Sequence, residues 1–320
     1  MVVGDAPRIA AAREPSRARC PDETGLVERD GVRVFWERYG SGDPTILLLP
    51  TWSIYHARHW KLQIPTLARQ FRVVTFDGRG NGRSSRPSDT AAYADTEFVA
   101  DALAVLDATG TGRAVLAGLS MGAGFGIRLA AEHPERVLGL VLFGSQARTL
   151  DRPADTRDDG YVASFEEVRP VDDEWGRFNV HVWRRDWPGF ARWFVGEKIH
   201  TEPHSTKPIE DGVGWTLETD PETIIASYRA PFLVPPAEWS PRPPGEGRGI
   251  SFARRVRCPA LVVHGTADAI VPMQAAERLA GALRAPLVRI DGGGHAPIAR
   301  EPVRVNLLIR DFVRSLAPAR

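Results

Sequence analysis

Short apolar runs alternate with longer segments of helical period through the first half of the chain. An alternating run at residues 31–36 predicts a half-exposed strand, and continuous apolar runs at 45–49, 71–76, 114–117 and 137–143 predict buried strands. Apolar positions spaced three and four apart predict helices over 59–70, 96–108 and 121–133. Strands and helices in this order predict an α/β fold with a mostly parallel sheet that helices cover on both faces.

The alternation stops near residue 146. Residues 147–255, called the inserted segment below, are rich in Trp, Pro and charge and contain no convincing buried strand. Strand and helix patterns return at 260–264, 272–283, 287–290 and 303–316. We therefore expect an α/β core of residues 26–146 and 256–320, with the inserted segment as a helical cap over the edge where such sheets bind ligands. Residues 1–25 scatter Arg among Ala and Pro and are predicted to be a flexible tail.

Composition and charge exclude several classes of protein. The 320 residues include 41 Lys and Arg and 40 Asp and Glu, so a nucleic-acid-binding protein driven by bulk charge is not expected. No run of about 18 apolar residues predicts a membrane span. Cys20 and Cys258 are too few for a disulfide framework or a cysteine metal site, which fits a reducing cytoplasm. The H-x-x-H pair His56 and His59 has no carboxylate or cysteine close in sequence, so we expect no metal site.

The strand at 114–117 is followed by the pentapeptide Gly118-Leu119-Ser120-Met121-Gly122 and then by a predicted helix. This is a G-x-S-x-G motif in the strand-turn-helix context that the motif requires. The glycines permit a sharp turn that raises the Ser120 hydroxyl above the sheet, and the helix behind it directs free backbone NH groups to the same place. Ser120 is therefore the predicted nucleophile, and a tight turn with a capping serine is the alternative.

A serine nucleophile needs a base and a carboxylate that orients the base. His295 follows three glycines after the last predicted strand, and these glycines permit a close approach to Ser120. Asp268 lies four residues beyond the strand at 260–264 and is the predicted orienting acid. Asp291 and Asp77 are its rivals. The chain order Ser, Asp, His is that of the α/β-hydrolase arrangement.

The sequence resembles the α/β-hydrolase superfamily from about residue 31 to its end. The matching segments are the D-x-R-G-x-G-x-S loop from Asp77, the turn at Ser120, the H-G-x-x-D segment from His264 and the G-H-x-P segment at His295. The resemblance implies the same triad of Ser120, Asp268 and His295. A narrower likeness, carried by the run Pro-Thr-Trp-Ser-Ile at 50–54, is to bacterial α/β-hydrolase domains that stand alone or are fused to nucleotide cyclases or transcriptional regulators.

The resemblance also implies an oxyanion hole, with the backbone NH of Met121 as one donor. Members of the superfamily commonly carry His-Gly after the third strand, whereas this chain has Pro50-Thr51, and Trp52 is the expected second donor. Pro50 has no NH, and Thr51 lacks the conformational freedom of glycine. This departure bears directly on hydrolase activity, because one oxyanion donor contributes about 10²- to 10³-fold in rate.

The inserted segment carries six of the nine Trp residues: Trp175, Trp183, Trp187, Trp193, Trp215 and Trp239. A cap this aromatic predicts a largely apolar pocket for a hydrophobic or aromatic small molecule. Trp183, Trp187 and Trp215 are the predicted aromatic contacts. His200 and His204 are the polar groups expected to orient the substrate. The alternative for each Trp is packing in a core of the cap's own, and for the polar stretch a solvated loop.

These features predict a serine hydrolase that acts on an ester, lactone or thioester without a cofactor. One alternative is a ligand-binding sensor with little turnover, suggested by the Pro50-Thr51 departure and the likeness to regulator-fused domains. Another is non-hydrolytic chemistry on the same residues, such as C–C cleavage or cyclisation, because a fold alone does not choose a reaction. The sequence leaves the oligomeric state and the natural substrate open.

Overall fold

A computed structural model of the chain describes residues 19–145, 147–148, 165–172, 174–235 and 247–316. Most of the predicted tail and Trp239 lie outside the described residues. Eight strands form one sheet in the order β1-β2-β4-β3-β5-β6-β7-β8. The strands are β1 Glu23–Arg29, β2 Val32–Tyr39, β3 Thr45–Leu48, β4 Arg72–Phe76, β5 Ala114–Leu119, β6 Val137–Phe143, β7 Ala260–Gly265 and β8 Leu287–Ile290.

The sheet is parallel from β4 to β8 and antiparallel at its β1-β2-β4 edge. Successive residues of β3 are buried in different hydrophobic clusters, with Ile46 and Leu48 in one and Leu47 in the other. Because side chains alternate between the faces of a strand, both faces of the sheet are covered. The predicted α/β class with a mostly parallel sheet is confirmed.

The α-helices of the described residues form two groups. One belongs to the core and covers the two faces of the sheet, and the other lies between β6 and β7 along the chain. Those of the core are α1 Ile64–Leu67, α2 Asp95–Ala108, α3 Met121–Glu132, α9 Met273–Leu283, α10 Pro297–Arg300 and α11 Pro302–Ser315. Those between β6 and β7 are α4 Val180–Arg185, α5 Trp187–Phe194, α6 Thr206–Leu217, α7 Pro221–Arg229 and α8 Gly249–Ala253. In the described part of the inserted segment, every regular element is helical.

The beginning of the fold differs from the prediction. Residues 1–25 were expected to be a tail, but β1 begins at Glu23 and pairs with β2 along its whole length. The two strands are joined by Asp30 and Gly31, whose φ angles are 50° and 77°. An Asp-Gly pair of this kind is typical of a tight β-hairpin turn. The apolar pattern missed β1 because its residues are exposed or half-buried.

Two predicted helices are shorter in the structure. In place of one helix at 59–70, the structure has one turn of 3₁₀ helix at Ala57–Trp60 and the four-residue α1. The other lies in the inserted segment, where helical spacing over residues 174–198 predicts a helical stretch. The structure interrupts it at Asp186, whose backbone is not helical and whose carboxylate accepts the NH of Gly189 at 2.8 Å. Because of this cap, α5 begins at Trp187. The single helical pattern therefore corresponds to two separate helices, α4 and α5.

Candidate active site

The backbone at Ser120 forms the strained turn that the pentapeptide predicts. Ser120 joins β5 to α3 with φ 55° and ψ −117°, and its NH donates to the carbonyl of Phe143 at 2.9 Å. A Cβ at Gly118 would overlap the backbone of Gly122, and one at Gly122 would overlap the carbonyl oxygen of Pro50. The glycines therefore permit a close approach of three backbone segments, and the strain is concentrated at the serine.

His295 and Asp268 meet at the carboxyl edge of the sheet. Nδ1 of His295 lies 2.9 Å from Oδ2 of Asp268, and both side chains are buried. The loops that carry them are joined through the backbone, where the NH of Ala267 donates to the carbonyl of Gly293 at 2.9 Å. A Cβ at Gly265 would overlap the carbonyls of Gly293 and Gly294. Glycine is therefore required where the two loops touch.

The surroundings of Asp268 favour its ionised form. Burial opposes ionisation, but the charge and hydrogen bond of His295, the NH of Val271 and the nearby His264 together lower the pKa of Asp268. Oδ1 accepts the NH groups of Ile270 and Val271 at 2.8 and 2.9 Å. These bonds fix the carboxylate, so Oδ2 faces His295.

The two rival carboxylates lie in different surroundings. Asp77 is buried and accepts the NH groups of Ala57 at 3.0 Å and Arg83 at 2.9 Å, so it organises its own glycine-rich loop. Arg79 in that loop forms a bidentate ion pair with Asp101 at 2.7 and 2.8 Å. Asp291 is exposed. The carboxylate that contacts His295 is that of Asp268.

A cavity of about 240 Å³ opens at this edge of the sheet. Ser120 and His295 both line it, and so do the two residues predicted as oxyanion donors, Trp52 and Met121. Met121 is the first residue of α3, so its NH belongs to the group that a helix leaves without an intrahelical partner. The inserted segment supplies a second part of the wall: Arg148, Phe165, Arg169, Trp175, Phe178, Phe194, Ile199, Tyr228 and Phe232.

The five predicted substrate contacts are not among the described residues that line this cavity. Trp183 is fully buried, with its ring 4.6 Å from that of Phe190. Trp187 is buried and donates its indole NH to the carbonyl of Thr219 at 3.2 Å. Trp215 packs edge-on against Tyr55, a lining residue, at 5.4 Å. For Trp183 and Trp187, the structure favours the alternative of packing in the cap.

The two predicted polar contacts also differ from each other. His200 is buried, and burial, with smaller contributions from His295 and Arg300, lowers its pKa to about 4. His204 is exposed and has a left-handed backbone with φ 61°. Its carbonyl accepts the guanidinium of Arg300 at 3.0 Å. His200 therefore stands near the base without lining the cavity, whereas His204 faces solvent.

None of the inserted residues that line the cavity was among the predicted substrate contacts. Trp175 and Phe178 belong to the same aromatic-rich stretch as the residues that were chosen. Arg148 and Arg169 carried no sequence signal beyond their position after β6. Helical spacing identifies buried positions, but it does not say which of two buried faces is turned to a cavity.

A short stretch of the inserted segment contacts the loop of the base. Glu202 accepts the NH of Gly294 at 2.7 Å, and Gly294 immediately precedes His295. The second carboxylate oxygen of Glu202 is buried and has no hydrogen-bond partner among the described residues. Arg300 donates to the carbonyls of Pro203 and His204. The residue that precedes His295 is thus hydrogen-bonded to the inserted segment.

The H-x-x-H pair has ordinary hydrogen-bond roles. His56 Nδ1 accepts the NH of Arg58, and His59 Nδ1 lies 2.9 Å from the carbonyl of His56. Burial lowers the pKa of His59 to about 4. Within the described residues, no three His, Cys, Asp or Glu side chains converge as a metal site. Across the same residues, no helix has the length and apolar character needed to span a bilayer.

Comparison with known proteins identifies the family. Residues 44–302 match the family of the α/β hydrolase fold, so the chain belongs to the α/β hydrolases. The chain is 29% identical over 293 residues to a 2-hydroxymuconate semialdehyde hydrolase of Pseudomonas sp. strain CF600, a match that covers 88% of this chain and 91% of the relative. The protein is therefore an enzyme of the α/β-hydrolase family, and its relatives support hydrolase activity.

Solved structures of similar fold include an esterase and a lactonase. A thermophilic esterase of Thermogutta terrifontis aligns with a TM-score of 0.71 and 25% identity, over 92% of this chain and 99% of the esterase. The enol-lactonase of Burkholderia xenovorans LB400 aligns with a TM-score of 0.70 and 22% identity, over 91% of this chain and all of the lactonase. The likeness to the lactonase concerns the fold.

Proposed function

We propose that the protein is a serine hydrolase that cleaves a carboxylic ester, lactone or thioester of a hydrophobic or aromatic small molecule. The observation that supports this most directly is that Asp268 holds Nδ1 of His295 while His295 and Ser120 line one cavity. The similarity to hydrolases and to an esterase supports the same reaction type. The aromatic wall and the volume of about 240 Å³ favour a small, largely apolar substrate.

In the proposed reaction, each residue of the triad has one role. Asp268 accepts a hydrogen bond from the Nδ1–H of His295, which leaves the lone pair on Nε2. Nε2 takes the proton of Ser120 as Oγ attacks the carbonyl carbon, and the carbonyl electron pair moves onto oxygen. The intermediate then expels the alcohol or thiol, which receives the proton from His295. Water, deprotonated by His295, attacks the acyl enzyme and releases the acid and Ser120.

The attack of Ser120 and the later attack of water each give a tetrahedral intermediate with a negatively charged oxygen. In this proposal the backbone NH groups of Met121 and Trp52 stabilise that oxygen. Both residues line the cavity with Ser120. Pro50, which replaces the usual histidine, presents its carbonyl oxygen to the close contact at Gly122. An NH on residue 50 is not needed for that contact, so Pro50 is compatible with the turn.

A fluorophosphonate probe tests the nucleophile. The wild type and the exposed-serine control Ser88→Ala should be labelled, and Ser120→Ala should remain unlabelled. On aryl esters, lactones and thioesters, Ser120→Ala should lower kcat at least about 10³-fold. Labelling that survives in Ser120→Ala would contradict the proposal. Binding of these compounds without turnover would instead support the sensor alternative, and product analysis would reveal C–C cleavage or cyclisation.

A further inference from the structure

The charged side chains on the cavity wall have one sign. Arg148 and Arg169 line the same cavity as Ser120 and His295, and no Asp or Glu is among the described lining residues. The side chains around them are mainly aromatic and aliphatic, including Phe165, Trp175 and Phe178 among others. The described wall therefore combines an apolar surface with two arginine residues.

Arg148 is held in a defined position. It follows β6 with a left-handed backbone, φ 48°, which is costly for a residue other than glycine. Its carbonyl accepts the NH of Gly249 at 3.0 Å, and a Cβ at Gly249 would overlap the carbonyl of Ala147. Its guanidinium carbon lies 5.9 Å from the ring centroid of Phe232, a buried residue that also lines the cavity. Backbone and ring contacts thus fix this cation at the wall.

A guanidinium beside apolar walls interacts with an anion more strongly than one in bulk water. Its planar donors match a carboxylate in a bidentate manner. A purely hydrocarbon substrate would remove solvent from these two cations without offering them an anion, and this has a desolvation cost. Both arginine residues also interact with other residues of the chain, so a substrate anion would be an additional partner.

We infer that the preferred substrate is a small ester that carries a carboxylate, which Arg148 and Arg169 bind while the ester carbonyl reaches Ser120. This inference rests on the proposed hydrolase function and names its substrate class. The aromatic wall contacts the hydrocarbon between the two groups. The two arginines are then specificity-determining residues that act on substrate binding.

Two matched substrate pairs test the inference by steady-state kinetics. The first is p-nitrophenyl hydrogen glutarate and its neutral methyl ester, which place the charge in the acyl part. The second is 4-carboxyphenyl pentanoate and the neutral 4-carbamoylphenyl pentanoate, which place it in the leaving group. The wild type should prefer the anionic member of at least one pair by about 10- to 100-fold in kcat/KM. A wild type with no such preference in either pair would overturn the inference.

Charge removal locates the source of the preference. Arg148→Gln and Arg169→Gln should each raise KM for the preferred anion about tenfold or more relative to KM for its neutral counterpart. The control Arg184→Gln in α4 loses an exposed ion pair with Glu222 and should keep the wild-type preference. A preference that persists in both Arg148→Gln and Arg169→Gln would also overturn the inference. If Arg148→Gln fails to fold, Arg169→Gln and the comparison of substrate pairs with the wild type still test the inference.

Binding to Ser120→Ala separates this inference from the proposed function. Calorimetric titration should show tighter binding of the anionic member of the preferred pair than of its neutral counterpart, without any turnover. Equal binding of the two, together with Ser120-dependent hydrolysis by the wild type, would overturn the inference and leave the serine hydrolase intact. Tighter binding of the anion without fluorophosphonate labelling of the wild type would retain the anion site and remove the hydrolase proposal.

Discussion

The carboxyl edge of the sheet and the inserted segment contribute to one cavity, but they hold their side chains in different ways. At the sheet edge, backbone contacts position each reactive group. Gly118 and Gly122 let three segments meet beneath Ser120, and Gly265 lets the loops of Asp268 and His295 touch. In the inserted segment, aromatic side chains pack mainly against one another. The ring of Phe178, for example, lies within 6.2 Å of those of Trp183, Tyr228 and others.

This difference teaches which positions a sequence can identify. A backbone that needs glycine leaves a local signature, because a Cβ has no room at the point of contact. An aromatic cluster leaves no such signature for orientation. Trp175 lines the cavity and Trp183 is buried, although both are tryptophans of the same aromatic-rich stretch.

The largest expected effect concerns the sheet edge. Asp268→Asn should lower kcat about 10⁴-fold, because an amide NH facing Nδ1 favours the wrong tautomer of His295. The fold should persist, since Asn keeps an oxygen for the NH groups of Ile270 and Val271. Steady-state kinetics on an aryl ester measures the loss. Asp291→Asn, at an exposed carboxylate of the neighbouring loop, is the control and should retain wild-type activity. A large loss in Asp291→Asn with activity retained in Asp268→Asn would exchange the roles of the two residues.

A pair of tryptophans tests the contrast within the inserted segment. Trp183→Ala should lower the free energy of unfolding by about 3–5 kcal/mol, because it leaves a cavity among fully buried rings. Trp175→Ala, at the partly buried cavity wall, should cost less stability and mainly raise KM for hydrophobic esters. Urea unfolding and steady-state kinetics separate the two effects. Equal losses of stability, with KM unchanged in Trp175→Ala, would remove the distinction between cap core and cavity wall.

The smallest effect compares the two regions through pH. Burial lowers the pKa of His59, beside the sheet edge, and of His200, in the inserted segment, to about 4. The unfolded chain binds a proton at each histidine near pH 6.5, whereas the folded chain binds it only near pH 4. The free energy of unfolding is therefore highest above pH 6.5 and falls as the pH decreases from 6.5 to 4. Each histidine should contribute a slope of up to about 1.4 kcal/mol per pH unit in that window.

Urea titrations from pH 7 to 4.5 measure these slopes. His59→Gln and His200→Gln should each flatten the dependence, whereas the exposed control His181→Gln should leave it unchanged. If the inserted segment unfolds as a separate unit, the effect of His200 appears in an earlier transition than that of His59. A pH dependence unchanged in both variants would show that neither histidine is kept neutral by burial.

The sequence predicted the central sheet closely, because β3 and β5 are buried on every residue and read as unbroken apolar runs. It also predicted that Asp268 and His295 meet, since both follow parallel strands whose carboxyl ends share one edge. It missed β1, whose half-exposed residues lack a strong period. Only the Asp30-Gly31 turn could have shown that strand.

The sequence could not select the cavity wall of the inserted segment. Trp183 and Trp187 were chosen for their residue type, yet the side chains at the wall are those of Trp175, Phe178 and Arg148. Which ring turns inward depends on how separate helices cross, and this is a long-range property that local spacing does not encode. The turn at Asp186 illustrates the problem, because it changes the direction of the chain between two apolar stretches.

The hydrogen bond between Glu202 and the NH of Gly294 has a mechanical consequence. Together with Arg300, which binds the carbonyls of Pro203 and His204, it fastens this stretch to the chain on both sides of His295. Lifting residues 202–204 away from the sheet would pull on the backbone next to the imidazole. Movement of residues 202–204 is therefore mechanically coupled to the alignment of the general base.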